Sequence, residues 1–308
     1  MSQQTNAKQT MSRFTPAREL YKRTLGGWYW RRLRKSLKKY DAQHPSEDLL
    51  LIYSSGQVGS SAIEEALLAD PEFTQQDAIH HLHYLNPQSI RRAEPYSRWY
   101  LKEHDHILQQ QLKSLYITRR LNAGQDLSRV RVITAVRNPL RTLVAGFFQT
   151  LYRLPNFDMQ RFENPDDSDL LDELQALFLK TRDIDYYLHW FDREIYSVFG
   201  IDIYSKPFPH GAGYQIFADQ HPQLLLLKTE QLSEAMPPAM GEFLGLENFR
   251  MTHGNVAAEK PYAAYYERFL ETARIPKEWV TRAERSRLLQ HFYTEEERQT
   301  ILAPWRQN

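Results

Sequence analysis

Short, unbroken apolar runs alternate along the chain with longer stretches in which apolar positions recur every three or four residues. The first run, Leu49–Tyr53, has no polar break and predicts a strand covered on both faces. From Ala62 the apolar and acidic positions take helical spacing. A second strand is expected over Ala78–Leu85, closed by Asn86 and Pro87. Alternation would place His81 and His83 on one face of it and His80, Leu82 and Tyr84 on the other. The pattern then predicts one long helix over Ser97–Leu121, with His104 and His106 on its solvated surface. Arg119 and Arg120 near its end suit the negative helix terminus and could also serve as anion ligands. Val130–Val136 reads as another buried strand, Asn138 and Pro139 as a turn, and Leu140 onward as a helix.

Beyond this point the pattern is less regular. Residues 154–169 have loop composition, and Asp166, Asp167 and Asp169 read either as a metal-nucleotide patch or as the electronegative start of a helix. Leu170–Phe199 predicts one or two helices whose Tyr186, Tyr187, Trp190 and Phe191 suit a core better than a sugar-stacking platform. Ile201–Ser205 and Leu224–Lys228 are expected strands flanking a loop over Pro207–Gly213. Helices are expected over Gln231–Leu244, Tyr262–Thr272 and Lys277–Leu289, and Thr294 with Glu297 forms a capping box for a last one. Strands and helices alternate without an internal repeat, which favours one α/β domain with a largely parallel central sheet and additional C-terminal helices.

Charge divides the chain where hydropathy does not. The 308 residues carry 39 basic and 38 acidic side chains, yet the first forty contain eleven Lys and Arg against Glu19 alone. Trp30, Leu33, Leu37 and Tyr40 share one helical side, with basic residues around them. Residues 1–45 therefore read as a basic amphipathic arm before an α/β domain over 46–308. The arm is suited either to an anionic membrane surface or to its own acidic body. No basic-aromatic groove continues into the body, so a nucleic-acid partner is not expected. The absence of cysteine removes disulfides and thiolate chemistry and fits a cytoplasmic protein, peripheral to the inner membrane face if the arm binds there. No apolar run has the length of a membrane span.

Candidate chemistry concentrates after the first strand, in YSSGQVGSS. Ser54, Ser55, Gly56, Gly59, Ser60 and Ser61 leave the backbone uncrowded where a helix begins, so several N–H groups can converge on one anion. The same turn could be an ordinary strand-to-helix connection with Ser60 or Ser61 as N-cap. His83, with His81 as alternate, is the candidate general base at the end of the histidine strand, and no metal is called for. Arg137 stands at the C-terminal end of the third strand, where open α/β sheets place ligands. A Walker-type NTPase would carry a lysine in the loop, and this loop has none.

In order and register, these two stretches resemble the PAPS-dependent sulfotransferases, whose donor is 3′-phosphoadenosine 5′-phosphosulfate. YSSGQVGSS resembles the family's phosphosulfate loop and AVRNPLRTLVAGFF its 3′-phosphate arginine and following helix. WFDREIYSVFGIDIYSKPF, LLLLKTEQL, NVAAEKPYAAYYERF and HFYTEEE extend the likeness to about Glu297, similar to a bacterial subgroup associated with capsular polysaccharide synthesis. The resemblance implies a single P-loop-like three-layer domain and sulfuryl transfer from PAPS, as co-substrate, to a hydroxyl or amine of a glycan or small molecule. It implies that Ser55, Gly56, Gln57, Val58, Gly59, Ser60 and Ser61 hold the phosphosulfate and Arg137 the 3′-phosphate. His83 or His81 would act as base, and Lys260 and Tyr262 would contact donor or acceptor. Two positions depart from the family: Gln57 replaces a loop cation and Ala145 a serine. Both weaken donor contacts and leave a non-catalytic binding protein as the alternative, ahead of a P-loop kinase. Arg141, one helical turn before Ala145, is placed to compensate.

Overall fold

The computed structural model describes residues 31, 33–99, 105–153, 157–164, 167–251 and 260–306. Trp28, Tyr29, Trp30, His104, Asp166 and the motif from Asn255 to Glu259 lie outside the described residues. The strands are β1 (Leu49–Tyr53), β2 (Ile79–Leu82), β3 (Val130–Val136), β4 (Tyr214–Phe217) and β5 (Gln223–Lys228). They form one sheet in the order β2-β1-β3-β5-β4. All pairings are parallel except that of β4 with β5 at the sheet edge.

Pleating sends successive side chains to opposite faces and thereby builds two cores. Leu49, Leu51 and Tyr53 of β1, Val130, Val132 and Val136 of β3, and Leu224 and Leu226 of β5 enter one cluster. Leu50, Ile52, Ile133, Ala135, Leu225 and Leu227 enter the other. Burying one such leucine stabilises the fold by about 1.5–3 kcal/mol, which explains why these strands carry almost no polar positions. The arrangement is a mixed α/β domain with helices on both faces of the sheet.

The helices follow in chain order: α1 (residues 33–43), α2 (Ser60–Ala69), α3 (Pro87–Trp99), α4 (Asp105–Asn122), α5 (Pro139–Thr150), α6 (Ser168–Thr181), α7 (Asp185–Leu188), α8 (Ser197–Phe199), α9 (Leu232–Leu244), α10 (Ala263–Thr272), α11 (Lys277–Arg285), α12 (Arg287–Phe292) and α13 (Glu295–Arg306). Ile63, Ala66 and Leu67 of α2 and Ala235, Met236 and Met240 of α9 cover one face. The other is covered by α1, α4, α5 and the C-terminal helices. Within α1, Leu33 and Tyr40 are buried against the domain, so the described end of the basic arm packs on the body.

Several expectations need correction. The histidine strand stops at Leu82, which leaves His83, Tyr84 and Leu85 in the loop beyond the sheet. Asn86 and Pro87 do not only close it; the Asn86 side chain accepts from Gln88 N at 2.8 Å and Pro87 opens α3, a helix the apolar pattern missed. The expected Ser97–Leu121 helix is thus two, α3 and α4, with residues 100–104 outside the described set. Ile201–Ser205 is turned rather than extended, because the Asp202 carboxylate accepts from Tyr204 N at 3.0 Å. The edge strand is instead β4, at Tyr214. The expected helix over Lys277–Leu289 is broken at Ser286, which caps α12 by accepting from Leu289 N at 3.2 Å. Of the Asp-rich patch, Asp167 serves as N-cap of α6 and pairs with Arg161 at 3.0 Å. The capping box before α13 is formed: Glu297 accepts from Thr294 N at 2.8 Å and Thr294 from Glu297 N at 3.3 Å.

Candidate functional site

The site lies at the C-terminal ends of β1, β2 and β3. After Tyr53 the backbone passes through left-handed geometry at three of four positions, Gly56 (φ 81), Gln57 (φ 60) and Gly59 (φ 80). Gly59, rather than Ser60 or Ser61, occupies the N-cap position of α2 and supplies no side-chain cap. The strained conformation at Gln57 is held from two sides. Arg137 Nη1 donates to the Gln57 carbonyl at 2.8 Å, and Thr229 Oγ1 donates to the Val58 carbonyl at 2.8 Å. These bonds turn the Gln57 and Val58 carbonyls toward Arg137 and Thr229, and within the loop the Gly56 N–H donates to Ser54 Oγ at 3.3 Å.

Arg137 is itself set by its neighbours. Asn138 caps α5 by accepting from Leu140 N at 3.0 Å, while its own N–H donates to Glu230 at 2.8 Å. Tyr293 donates to the same carboxylate at 3.0 Å. Burial, reinforced by the Glu230 charge, holds the Tyr293 hydroxyl far above the ordinary phenol range, so it remains a donor. Beside it Lys228, fully buried at the end of β5, pairs with Glu297 and lies 4.6 Å from the Tyr293 ring centre. This is a latch between the sheet and α13, and it lies beyond local patterning because Lys228 and Glu297 are remote in sequence.

His83 stands directly over the loop. A Cβ at Gly56 would lie 3.8–4.0 Å from three atoms of its imidazole, so glycine there admits both the positive φ and the close approach. His83 Nδ1 is 3.0 Å from the Ser54 carbonyl, which can only accept, so Nδ1 carries the proton and Nε2 is the acceptor. Burial, and secondarily the neighbouring His81, push the His83 pKa down to about 3, against a smaller upward effect of the Ser54 carbonyl. The ring is therefore neutral at physiological pH. Its backbone is fixed from the other side: Trp190 Nε1 donates to the His83 carbonyl at 3.2 Å, and Glu194 accepts from Leu85 N at 2.9 Å and Asn86 N at 2.8 Å. The buried Glu194 also accepts from the Tyr53 hydroxyl.

His81 is deployed differently. Its Nε2 lies 3.0 Å from Ser60 Oγ and its Nδ1 2.7 Å from Glu64 Oε2. Both nitrogens are thus occupied within the protein, whereas His83 Nε2 bonds no group among the described residues. Glu64 is a partner the sequence reading missed. Its position one helical turn after Ser60 carried the signal, since such pairs share a face. The Glu64 carboxyl is held below the usual carboxylate range; burial pushes it upward, and the bond to His81, the His81 charge and Lys113 outweigh that.

The structure thus brings Ser54 to Ser61, His81, His83 and Arg137 into one corner. Arg141 is exposed on the first turn of α5, and the expected serine position, Ala145, packs half-buried against the core. Close by, Gly146 has no room for a Cβ because the Tyr187 hydroxyl fills that space, with Gln57 Cγ 3.7 Å away. Lys260 and Tyr262 stand elsewhere. Lys260 is exposed, and the Tyr262 ring packs against Phe148 and Phe162 at 5.5 and 6.1 Å, near the end of α5 opposite to Arg137. Arg119 and Arg120 are structural: Arg120 donates to the Ser46 carbonyl at 2.9 Å and Arg119 pairs with Asp41 at 3.4 Å.

One family model, NKWYS, described as a putative capsular polysaccharide synthesis protein, matches residues 165–294. No curated protein and no solved structure matches the chain. The matched region supports the capsular-polysaccharide side of the resemblance and does not reach the loop, the histidines or Arg137. It does contain Trp190, Glu194, Glu230 and Tyr293, the residues that hold those groups in place. Among the described residues no helix is long and apolar enough to cross a membrane.

Proposed function

We propose that the protein is a sulfotransferase, moving a sulfuryl group from PAPS to a hydroxyl or amine of an acceptor, with a capsular glycan as the acceptor class. The observation that carries this reading is the left-handed loop of Gly56, Gln57 and Gly59, braced by Arg137 and covered by a neutral histidine with a free acceptor nitrogen. Loop amides at the start of α2 suit a phosphosulfate, and Arg137 suits a second phosphate. In the reaction His83 Nε2 takes the acceptor proton as the acceptor oxygen or nitrogen bonds to sulfur, and the bond from sulfur to the bridging oxygen breaks. Ser55, Ser60 and Ser61 supply neutral donors, and Gln57 takes the position of a loop cation.

Gln57 and Ala145 also favour a second reading, a glycan-binding protein on the same fold without turnover. Calorimetric titration with adenosine 3′,5′-bisphosphate beside magnesium ATP separates the readings. Binding of the bisphosphate alone supports the sulfotransferase site, ATP alone a kinase, and neither the binding module. A sulfate-transfer assay to capsular oligosaccharides then tests turnover. The exposed basic side of α1, whose apolar side packs on the body, is proposed to rest on anionic membrane, and flotation with anionic liposomes that is unchanged in a Lys35→Gln, Lys38→Gln, Lys39→Gln variant would refute that role.

A further inference from the structure

Two histidines meet at the loop, with ring centres 5.0 Å apart and planes nearly perpendicular, yet their hydrogen bonds prepare them for opposite tasks. His83 presents an unprotonated Nε2. His81 closes a chain from the Glu64 carboxylate, through Nδ1 and Nε2, to the hydroxyl of Ser60 at the first position of α2. The groups facing His81 are Ser60 and Glu64 from α2, Gln110 and Lys113 from α4, and His83 beyond β2. Gln110 donates to the His81 carbonyl at 3.3 Å, and Lys113 lies 3.9 Å from the second oxygen of Glu64. Ser60 and His81 are both buried, and the His81 ring is the hydrogen-bond partner of the Ser60 hydroxyl.

Resting on the sulfuryl-transfer reading, we propose that Glu64, His81 and Ser60 form a proton relay that supplies the leaving group, doing the work for which Gln57 lacks a charge. With His81 neutral, Ser60 Oγ–H donates inward to Nε2. With His81 protonated, Nε2–H donates to Ser60 Oγ, and the Ser60 hydrogen is released toward the loop's anion. Ser60 is then the catalytic donor, and His81 and Glu64 are positioning residues acting through it. As sulfur bonds to the acceptor, the bridging oxygen takes the Ser60 proton while its bond to sulfur breaks. His81 reprotonates Ser60 and returns to the neutral form, hydrogen-bonded to Glu64. His83 gains the acceptor proton in the same turnover and releases it to solvent, and His81 regains one, so the cycle is balanced. Neighbouring groups of one type, separated by environment, divide the roles of base and acid.

The relay makes anion binding proton-linked. Titrating the full-length protein with adenosine 3′,5′-bisphosphate at pH 8, in buffers of differing ionisation enthalpy, counts the protons taken up. The expected result is close to one proton per bisphosphate for the wild type, retained by His83→Ala and near zero for His81→Asn. In the transfer assay, Glu64→Gln should lower kcat by about 10²-fold and displace the alkaline limb of its pH profile, leaving the acid limb in place. Proton uptake that persists in His81→Asn, or is absent from the wild type, overturns the relay while leaving the donor site standing. Failure of the wild type to bind bisphosphate overturns the donor reading and the relay together. An unshifted alkaline limb in Glu64→Gln overturns the acid role.

Discussion

The two faces of β2 put histidines one residue apart into different physical worlds. His80 points into a closed aromatic box: its Nδ1 bonds the Tyr40 hydroxyl at 2.7 Å, and the rings of Tyr40, His44 and Tyr116 are centred 5.7, 5.0 and 5.2 Å away. On the opposite face His81 meets a serine and a carboxylate, and just past the strand His83 covers the glycine loop. His80 and His83 both have pKa values pushed down to about 3 by burial, the one inside the box and the other against the loop. Perturbation alone therefore does not mark a functional histidine. What separates them is placement: His83 lies over the glycine loop, whereas His80 is bonded to Tyr40 of α1.

The sharpest way to test this contrast is to remove His83 and, separately, to empty the box around His80. His83→Ala should lower sulfate transfer by about 10²–10⁴-fold with bisphosphate affinity retained, whereas a change confined to the His80 side should spare transfer in folded protein. Tyr40→Ala, which empties the box, should instead cost about 3 kcal/mol in chemical denaturation and leave bisphosphate binding intact. If Tyr40→Ala abolished binding at full folding, the two faces would not be independent.

Acid titration probes both faces together. Both folded pKa values lie below the ordinary histidine value of 6.5, so between about pH 6.5 and 3 the unfolded chain binds more protons than the folded one. Their contribution is complete above pH 6.5 and is lost as pH falls. With both groups acting, the slope approaches two protons, about 2.7 kcal/mol per pH unit, near the middle of that window. Denaturation curves of a variant lacking either histidine should show about half of it. The smallest effect is expected from restoring a cation: Gln57→Lys should tighten bisphosphate binding by about tenfold, or 1.4 kcal/mol, and lessen the dependence of turnover on His81.

Much of this was legible where a single local rule prevailed. The unbroken apolar runs of β1, β3 and β5 could only be strands covered on both faces, and the glycine-serine turn between β1 and α2 announced uncrowded amides. Legibility failed where a side chain overrode the pattern. Asn86 and Pro87 started a helix, Asp202 wound an apolar segment into a turn, and Ser286 split one helix into two. The candidate site was half visible: Ser60, His81, His83 and Arg137 stood out by residue type and place, whereas Glu64, Trp190 and Glu194 read as ordinary helix residues.

Hydrophobic period and glycine placement act within a few residues, so β1, β3, β5 and the glycine loop were fixed locally, whereas the edge strand β4 and the end of β2 were not. Tertiary structure alone decided that His83 covers the glycine loop, that His81 bonds Ser60 and Glu64, and that His80 bonds Tyr40. That choice depends on partners brought from as far as Trp190 and Glu194, by parallel strands whose crossovers bury both faces of one sheet. A histidine's proton affinity and free nitrogen are set by the atoms around its ring, and chain folding, not spacing, supplies those atoms.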